Sequence, residues 1–166
     1  MKFVTNLALL ATATSVAAGP VQKIFNIVTS GATDDSNNGL YLSTQRVDPL
    51  NSNAVFRAQE DAADFYVVND TIRYDAPNKA PYAIALVSGS EPQGDVEISV
   101  SPTTGSEGFS LTSEKKVKTS QQNFGGWLVC DGENGVQALY YENTSAGDIV
   151  PDGCDSVQLD AVFKSS

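Results

Sequence analysis

Phe124-Gly125-Gly126-Trp127-Leu128-Val129-Cys130 contains the only tryptophan of the chain and one of its two cysteines. Phe124, Trp127 and Val129 supply apolar bulk, and the paired glycines let a neighbouring backbone approach closely. Strand alternation puts Trp127 and Val129 on one face, which predicts a core tryptophan and not a binding one. Cys130 has a single possible intramolecular partner, Cys154. Two cysteines in an oxidising compartment, without Cys-x-x-Cys spacing, form a structural disulfide most simply. Closing that loop is worth roughly 3 kcal/mol in the chain-entropy description. The stretch reads as a core strand with a clamp.

Working outward, Asp131 to Gly135 is a turn and Val136 to Glu142 its hairpin partner. After Cys154, the residues Val157, Leu159, Ala161 and Phe163 alternate with Ser156, Gln158 and Asp160, the pattern of a final strand. Upstream, Phe65 to Val68 and Thr71 to Tyr74 flank Asn69-Asp70, two residues that tolerate positive φ and so mark a hairpin. Lys23 to Thr29 predicts a first strand nearly buried on both faces. Leu40 to Gln45, Ala54 to Ala58, Pro81 to Val87 and Asp95 to Val100 are further strands, with Phe109 to Leu111 and Val117 as short ones. No window of about 11 residues after the N-terminal segment shows an uninterrupted 3.6 period, so no long helix is expected.

Roughly ten short strands separated by turn signals predict one all-β domain, an antiparallel barrel or sandwich. A β-trefoil is the alternative, because Phe65 and Phe109 each begin a Phe-x-[Val/Leu] strand, 44 positions apart, although no third copy is visible.

At the N-terminus, Lys2 precedes an apolar run from Leu7 to Ala13 and small residues from Ser15 to Ala18, the layout of a secretory leader. Residues 1–18 are read as that leader and 19–166 as the single domain. Nothing later approaches the roughly 18 apolar residues of a membrane span. A soluble protein of the extracellular space or cell wall is expected.

Twenty acidic residues stand against ten basic ones. Such a charge disfavours nucleic acid and anionic membranes as partners. The cluster Lys115, Lys116 and Lys118 lacks the interleaved aromatics of a nucleic-acid footprint. Histidine is absent, which removes Ser-His and Cys-His nucleophile pairs and the usual zinc sites.

Asp34-Asp35-Ser36-Asn37-Asn38-Gly39 fits the first half of a calcium loop, but the position that needs a bidentate glutamate is Gln45. A polar turn is the expectation, and no metal or cofactor is assigned. Asn69-Asp70-Thr71 and Asn143-Thr144-Ser145 are glycosylation sequons, of which at least one is expected to carry a glycan. Glu97, Glu133 and Glu142 lie on or beside strands, but acidic residues are too abundant for a carboxylate pair to signal glycoside hydrolysis. Ser113-Glu114-Lys115-Lys116 matches Ser-x-x-Lys without the helix and companion motifs that chemistry needs. No catalytic residue is assigned. Tyr140-Tyr141 must face opposite sides of a strand, so one of the two is expected at the surface, where it could stack on a sugar or anchor a protein.

Phe25-Asn26-Ile27-Val28, Ala63-Asp64-Phe65-Tyr66-Val67, Thr71-Ile72-Arg73-Tyr74, Gly126-Trp127 and Gly153-Cys154 together resemble small secreted fungal proteins typified by the phialide-associated cell-wall proteins. In size and layout the chain is also similar to fungal elicitors of the plant hypersensitive response. The resemblance implies a non-enzymatic extracellular protein acting on a host extracellular protein or a cell-wall glycan, possessing no catalytic residue to map. A lectin-like carbohydrate-binding module is the alternative.

Overall fold

The computed structural model describes residues 22–100, 105–132, 135–147 and 149–165. The expected leader and Glu133 lie outside them. Twelve strands are present among the described residues: β1 Phe25–Ser30, β2 Tyr41–Arg46, β3 Asn51–Arg57, β4 Phe65–Val68, β5 Thr71–Tyr74, β6 Ala83–Val87, β7 Gln93–Ser99, β8 Phe109–Leu111, β9 Val117–Thr119, β10 Phe124–Asp131, β11 Gln137–Asn143 and β12 Cys154–Phe163. The helical elements named between them are two 3-10 turns, Asp35–Asn37 and Gln59–Asp61. No helix of the described residues is long and apolar enough to cross a membrane.

The strands form a closed antiparallel barrel. β1 pairs with β12 from Phe25↔Phe163 to Ser30↔Gln158 and with β4 at Phe25↔Phe65. β4 pairs with β5, and β8 with β9. The Phe109 N–H donates to the Asp70 carbonyl at 2.9 Å, tying β8 to the start of β5, and the Ala161 N–H donates to the Lys115 carbonyl at 2.8 Å, tying β12 to the lead-in of β9. Strands β12, β1, β4 and β5 thus follow one another by ladder pairing, and the separate two-stranded β8–β9 ladder closes the ring between β5 and β12 through those two bonds. The remaining hairpins, β2–β3, β6–β7 and β10–β11, meet through Asn53↔Glu97, Tyr140↔Asp95 and Ala138↔Val55. Three hairpins capping a six-strand ring is the trefoil form of the barrel.

Cross-strand register exposes the repeat. Leu42 faces Phe56, Ile84 faces Ile98, and Trp127 faces Tyr141. All six are buried, and so are Ala54, Val96 and Leu139 beside them. Burying side chains of this size is worth about 1.5–3 kcal/mol each for the aliphatic and phenyl members, so these layers supply much of the drive to fold. Phe65 and Phe109 are two members of a barrel position whose third member, by its bond to the preceding strand, is Ala161. That small residue hides the third copy from the sequence.

β1 departs from the expected burial on both faces. Phe25, Ile27 and Thr29 are buried, while Asn26, Val28 and Ser30 are partly open, because a barrel strand has an inside and an outside. β10 departs in the opposite sense, with Trp127, Leu128, Val129 and Cys130 all buried. Its register shifts between Phe124 and Trp127, so Gly125-Gly126 is where the strand bulges. The Trp127 indole N–H donates to the Val117 carbonyl at 3.2 Å, and its ring stacks on Phe109. The tryptophan is core.

Candidate functional site

The structure divides the sequence-derived candidates into those that hold the fold together and those that face solvent. Cys130 and Cys154 are directly opposite across β10 and β12 and form the disulfide, with a Cα–Cα distance of 4.0 Å. The Asp131 N–H donates to the Gly153 carbonyl at 3.0 Å just beyond it. The bridge thus fastens the tryptophan strand to the start of the last strand.

Tyr141 corrects the expectation of a ligand-binding tyrosine at that position. It is 2% exposed, and its hydroxyl pairs with the Ser88 hydroxyl at 2.9 Å. Its ring covers Gly94 so closely that a Cβ there would collide with the ring carbons. Tyr141 is buried opposite Trp127, with the Phe124 ring stacked 6.0 Å from its own. Tyr140, on the other face, is half-buried opposite Asp95. It borders a pocket of about 190 Å³ at the centre of the cap, with Asp95 and Glu97 also on its wall.

Asn143 is fully buried. Its amide nitrogen donates to the Gly89 and Glu91 carbonyls, both at 3.1 Å, while its oxygen accepts from the Ser145 hydroxyl at 2.6 Å. Both amide hydrogens are thus engaged, and a glycan on that nitrogen would have to break into this packing. Asn69 is exposed at the tip of the β4–β5 hairpin with φ 47°, open to modification.

The Asp34 to Gly39 segment closes on itself. An Asp34 oxygen accepts the Ser36 N–H at 2.9 Å and its hydroxyl at 2.7 Å, and the Asn38 oxygen accepts the Ala32 N–H at 2.9 Å. Asp155 on β12 accepts the backbone N–H groups of Asp34 and Thr33 and a side-chain N–H of Asn37. Ser36 holds the Asp34 carboxyl below the ordinary range, and the Asp34 N–H and then Asn37 do the same for Asp155. These oxygens are engaged in docking a polar turn.

Glu142 is opposite Gln93, and Glu97 lies four residues further along β7, a backbone separation of about 13 Å by strand rise. Lys116 is structural, with its ammonium on Asp160 at 2.6 Å and on the Ser30 hydroxyl at 3.0 Å.

A surface that sequence reading missed is the tip of the β2–β3 hairpin. Val47 and Leu50 are 62% and 61% exposed on either side of Asp48-Pro49. The tip is nonetheless tied down from within. Asp48 accepts the N–H groups of Leu50 at 2.7 Å and Asn51 at 2.9 Å, and the Asn51 side-chain amide at 3.0 Å. These bonds, the Asn51 side chain first, hold the Asp48 carboxyl below its usual range. The Val100 N–H donates to the Leu50 carbonyl at 2.8 Å. Beside the tip runs a groove of about 340 Å³ with Tyr74, Tyr82, Pro77, Asn78 and Arg46 on its walls. Asp48-Pro49 announced a turn, but only the folded arrangement leaves the flanking valine and leucine in water.

Residues 22–163 match the protein-family profile described as "Domain of unknown function (DUF7907)". No curated protein matches the chain.

Proposed function

We propose that this chain, which belongs to the DUF7907 family of domains of unknown function, is a secreted, non-enzymatic recognition protein that acts in the extracellular space or cell wall, in the manner of a fungal elicitor of plant defence. The observation that carries this reading is the β2–β3 tip, where two large apolar side chains are held in solvent by a rigid hydrogen-bonded turn. Val47 and Leu50 offer apolar surface whose burial against a partner is favourable, and preordering the turn reduces the entropy cost of docking it. Apolar anchors with a polar surround are the usual centre of a protein–protein contact. The leader-like N-terminus and the resemblance to secreted fungal proteins support an extracellular site of action. The acidic surface disfavours nucleic acid and anionic membranes.

Infiltration of the purified mature protein into leaves of several plant species tests the reading. Wild-type protein is expected to provoke cell death or defence signalling, and a Val47→Ser/Leu50→Ser variant of unchanged melting temperature is expected to lose it. Absence of response to wild type in every species overturns the elicitor role, and an equal response to the variant removes the tip from it.

A lectin-like reading draws on the groove beside the tip. Tyr74 and Tyr82 have ring centroids 5.9 Å apart, and Asn78, Thr44 and Arg46 supply polar groups around them. The stacking residues of that reading are these tyrosines, with Tyr140 in a more acidic setting. Retention on insoluble chitin or glucan that is lost in Tyr82→Ala supports it, and no retention of wild type removes it.

A further inference from the structure

A second groove lies on the barrel, where the start of β1 and the end of β12 run together. It encloses about 640 Å³, and its wall includes Ile24, Phe163, Lys23, Lys115 and Lys164. The floor is apolar and fixed. Phe163 packs edge-on against buried Phe25 with ring centroids 5.5 Å apart. The Lys164 N–H donates to the Ile24 carbonyl at 3.1 Å, which keeps the two chain segments side by side.

The charges on the rim are not balanced. Two carboxylates reach the groove, and each is already matched: Asp64 by the Lys164 ammonium at 2.6 Å, and Asp75 by Lys79 at 3.0 Å. The Lys115 ammonium lies 5.7 Å from the centre of the Phe163 ring. Lys115 and Lys23 are exposed, and neither has a carboxylate within ion-pair distance among the described residues. One ammonium over the aromatic floor and one exposed on the groove wall thus have no carboxylate partner among the described residues, on a chain whose net charge is −10.

We propose that this groove binds a small amphipathic organic anion, a carboxylate carried on an apolar chain or ring. The apolar part covers Phe163 and Ile24, and the carboxylate sits between Lys115 and Lys23. The volume falls within the roughly 300–1,000 Å³ range of small-ligand sites. A polyanion is repelled by the acidic surface beyond the groove, whereas a small monoanion responds chiefly to charges within a Debye length of about 8–10 Å. A cationic amphiphile meets two lysines that have no counter-charge to give up. A neutral one gains the floor and forgoes the ion pairs.

Dodecanoate is the probe. Titrated calorimetrically into the mature wild-type protein below its critical micelle concentration, it is expected to bind saturably and more weakly as salt is raised. Dodecyltrimethylammonium is expected to bind at least tenfold more weakly. Lys23→Gln/Lys115→Gln changes two exposed side chains, so its melting temperature is expected to stay at the wild-type value while dodecanoate affinity falls at least tenfold. Dodecanol affinity is expected to be the same in both proteins. The proposal is overturned if dodecanoate does not saturate the wild type, if the cationic amphiphile binds as well, or if the lysine variant binds dodecanoate unchanged. Val47→Ser/Leu50→Ser is expected to leave dodecanoate binding intact, which separates this groove from the recognition tip.

Discussion

The first and third hairpins occupy equivalent places around the cap, yet they use their apolar residues in opposite ways. In β10–β11, Trp127, Tyr141 and Asn143 are turned inward and the disulfide fastens the strand from outside the hairpin. In β2–β3, the inward layer is the smaller pair Leu42 and Phe56, and the tip places Val47 and Leu50 in solvent. One topology therefore serves two ends. The third hairpin is committed to stability, and the first has large side chains available for contact with something else.

Mutations can break that contrast in graded steps. Trp127→Ala in the third hairpin empties a large buried site and is expected to cost about 3–5 kcal/mol in denaturant unfolding. Replacing both cysteines with serine is expected to cost roughly 3 kcal/mol, measured the same way against wild type under non-reducing conditions. Gly94→Ala drives a Cβ into the Tyr141 ring and is expected to cost about 1–3 kcal/mol, less in a Tyr141→Leu background. Asp155→Asn acts through pH. Its carboxyl is held below the reference value of 3.8, so the stability it contributes is complete above 3.8 and is lost as pH falls through the lower folded-state value. Melting temperature followed down the acid limb is expected to fall less steeply in the variant than in wild type. At the other end of the scale, Val47→Ser/Leu50→Ser is expected to stay within about 0.5 kcal/mol of wild type, because those side chains leave little buried surface behind. A large loss from that last variant breaks the contrast between the hairpins.

Much of the strand layout was legible because it is local. Asn69-Asp70 has positive φ at both residues, 47° and 57°, as its hairpin required, and the strands on either side begin and end where the apolar residues do. The clamp was legible because Cys130 had one possible partner. The threefold order was only half visible, since it resides in cross-strand register and in the substitution of Ala161 for a phenylalanine. The candidate site was the least legible part. Tyr140 and Tyr141 alternate as strand residues must, but which of them is covered depends on Gly94, far away in sequence. Exposure at Val47 and Leu50, and the meeting of Lys23 with Lys115 beside Phe163, depend on tertiary placement that no short window encodes.

The buried Asn143 sets up a race during biosynthesis. In a host that adds N-glycans as the chain enters the secretory pathway, the sequon is readable only before β11 and the segment around Gly89 and Glu91 come together. A glycan on the Asn143 nitrogen would take the place of one of the two hydrogens that bind the Gly89 and Glu91 carbonyls, so a chain modified there would lack part of that contact. In such a host, yield relative to a variant without the sequon is expected to track how quickly this contact forms. Asn143→Gln abolishes the sequon but puts a longer amide in a tight site, whereas Ser145→Ala abolishes it and keeps the amide bonds to the Gly89 and Glu91 carbonyls, losing the hydroxyl bond to the Asn143 oxygen.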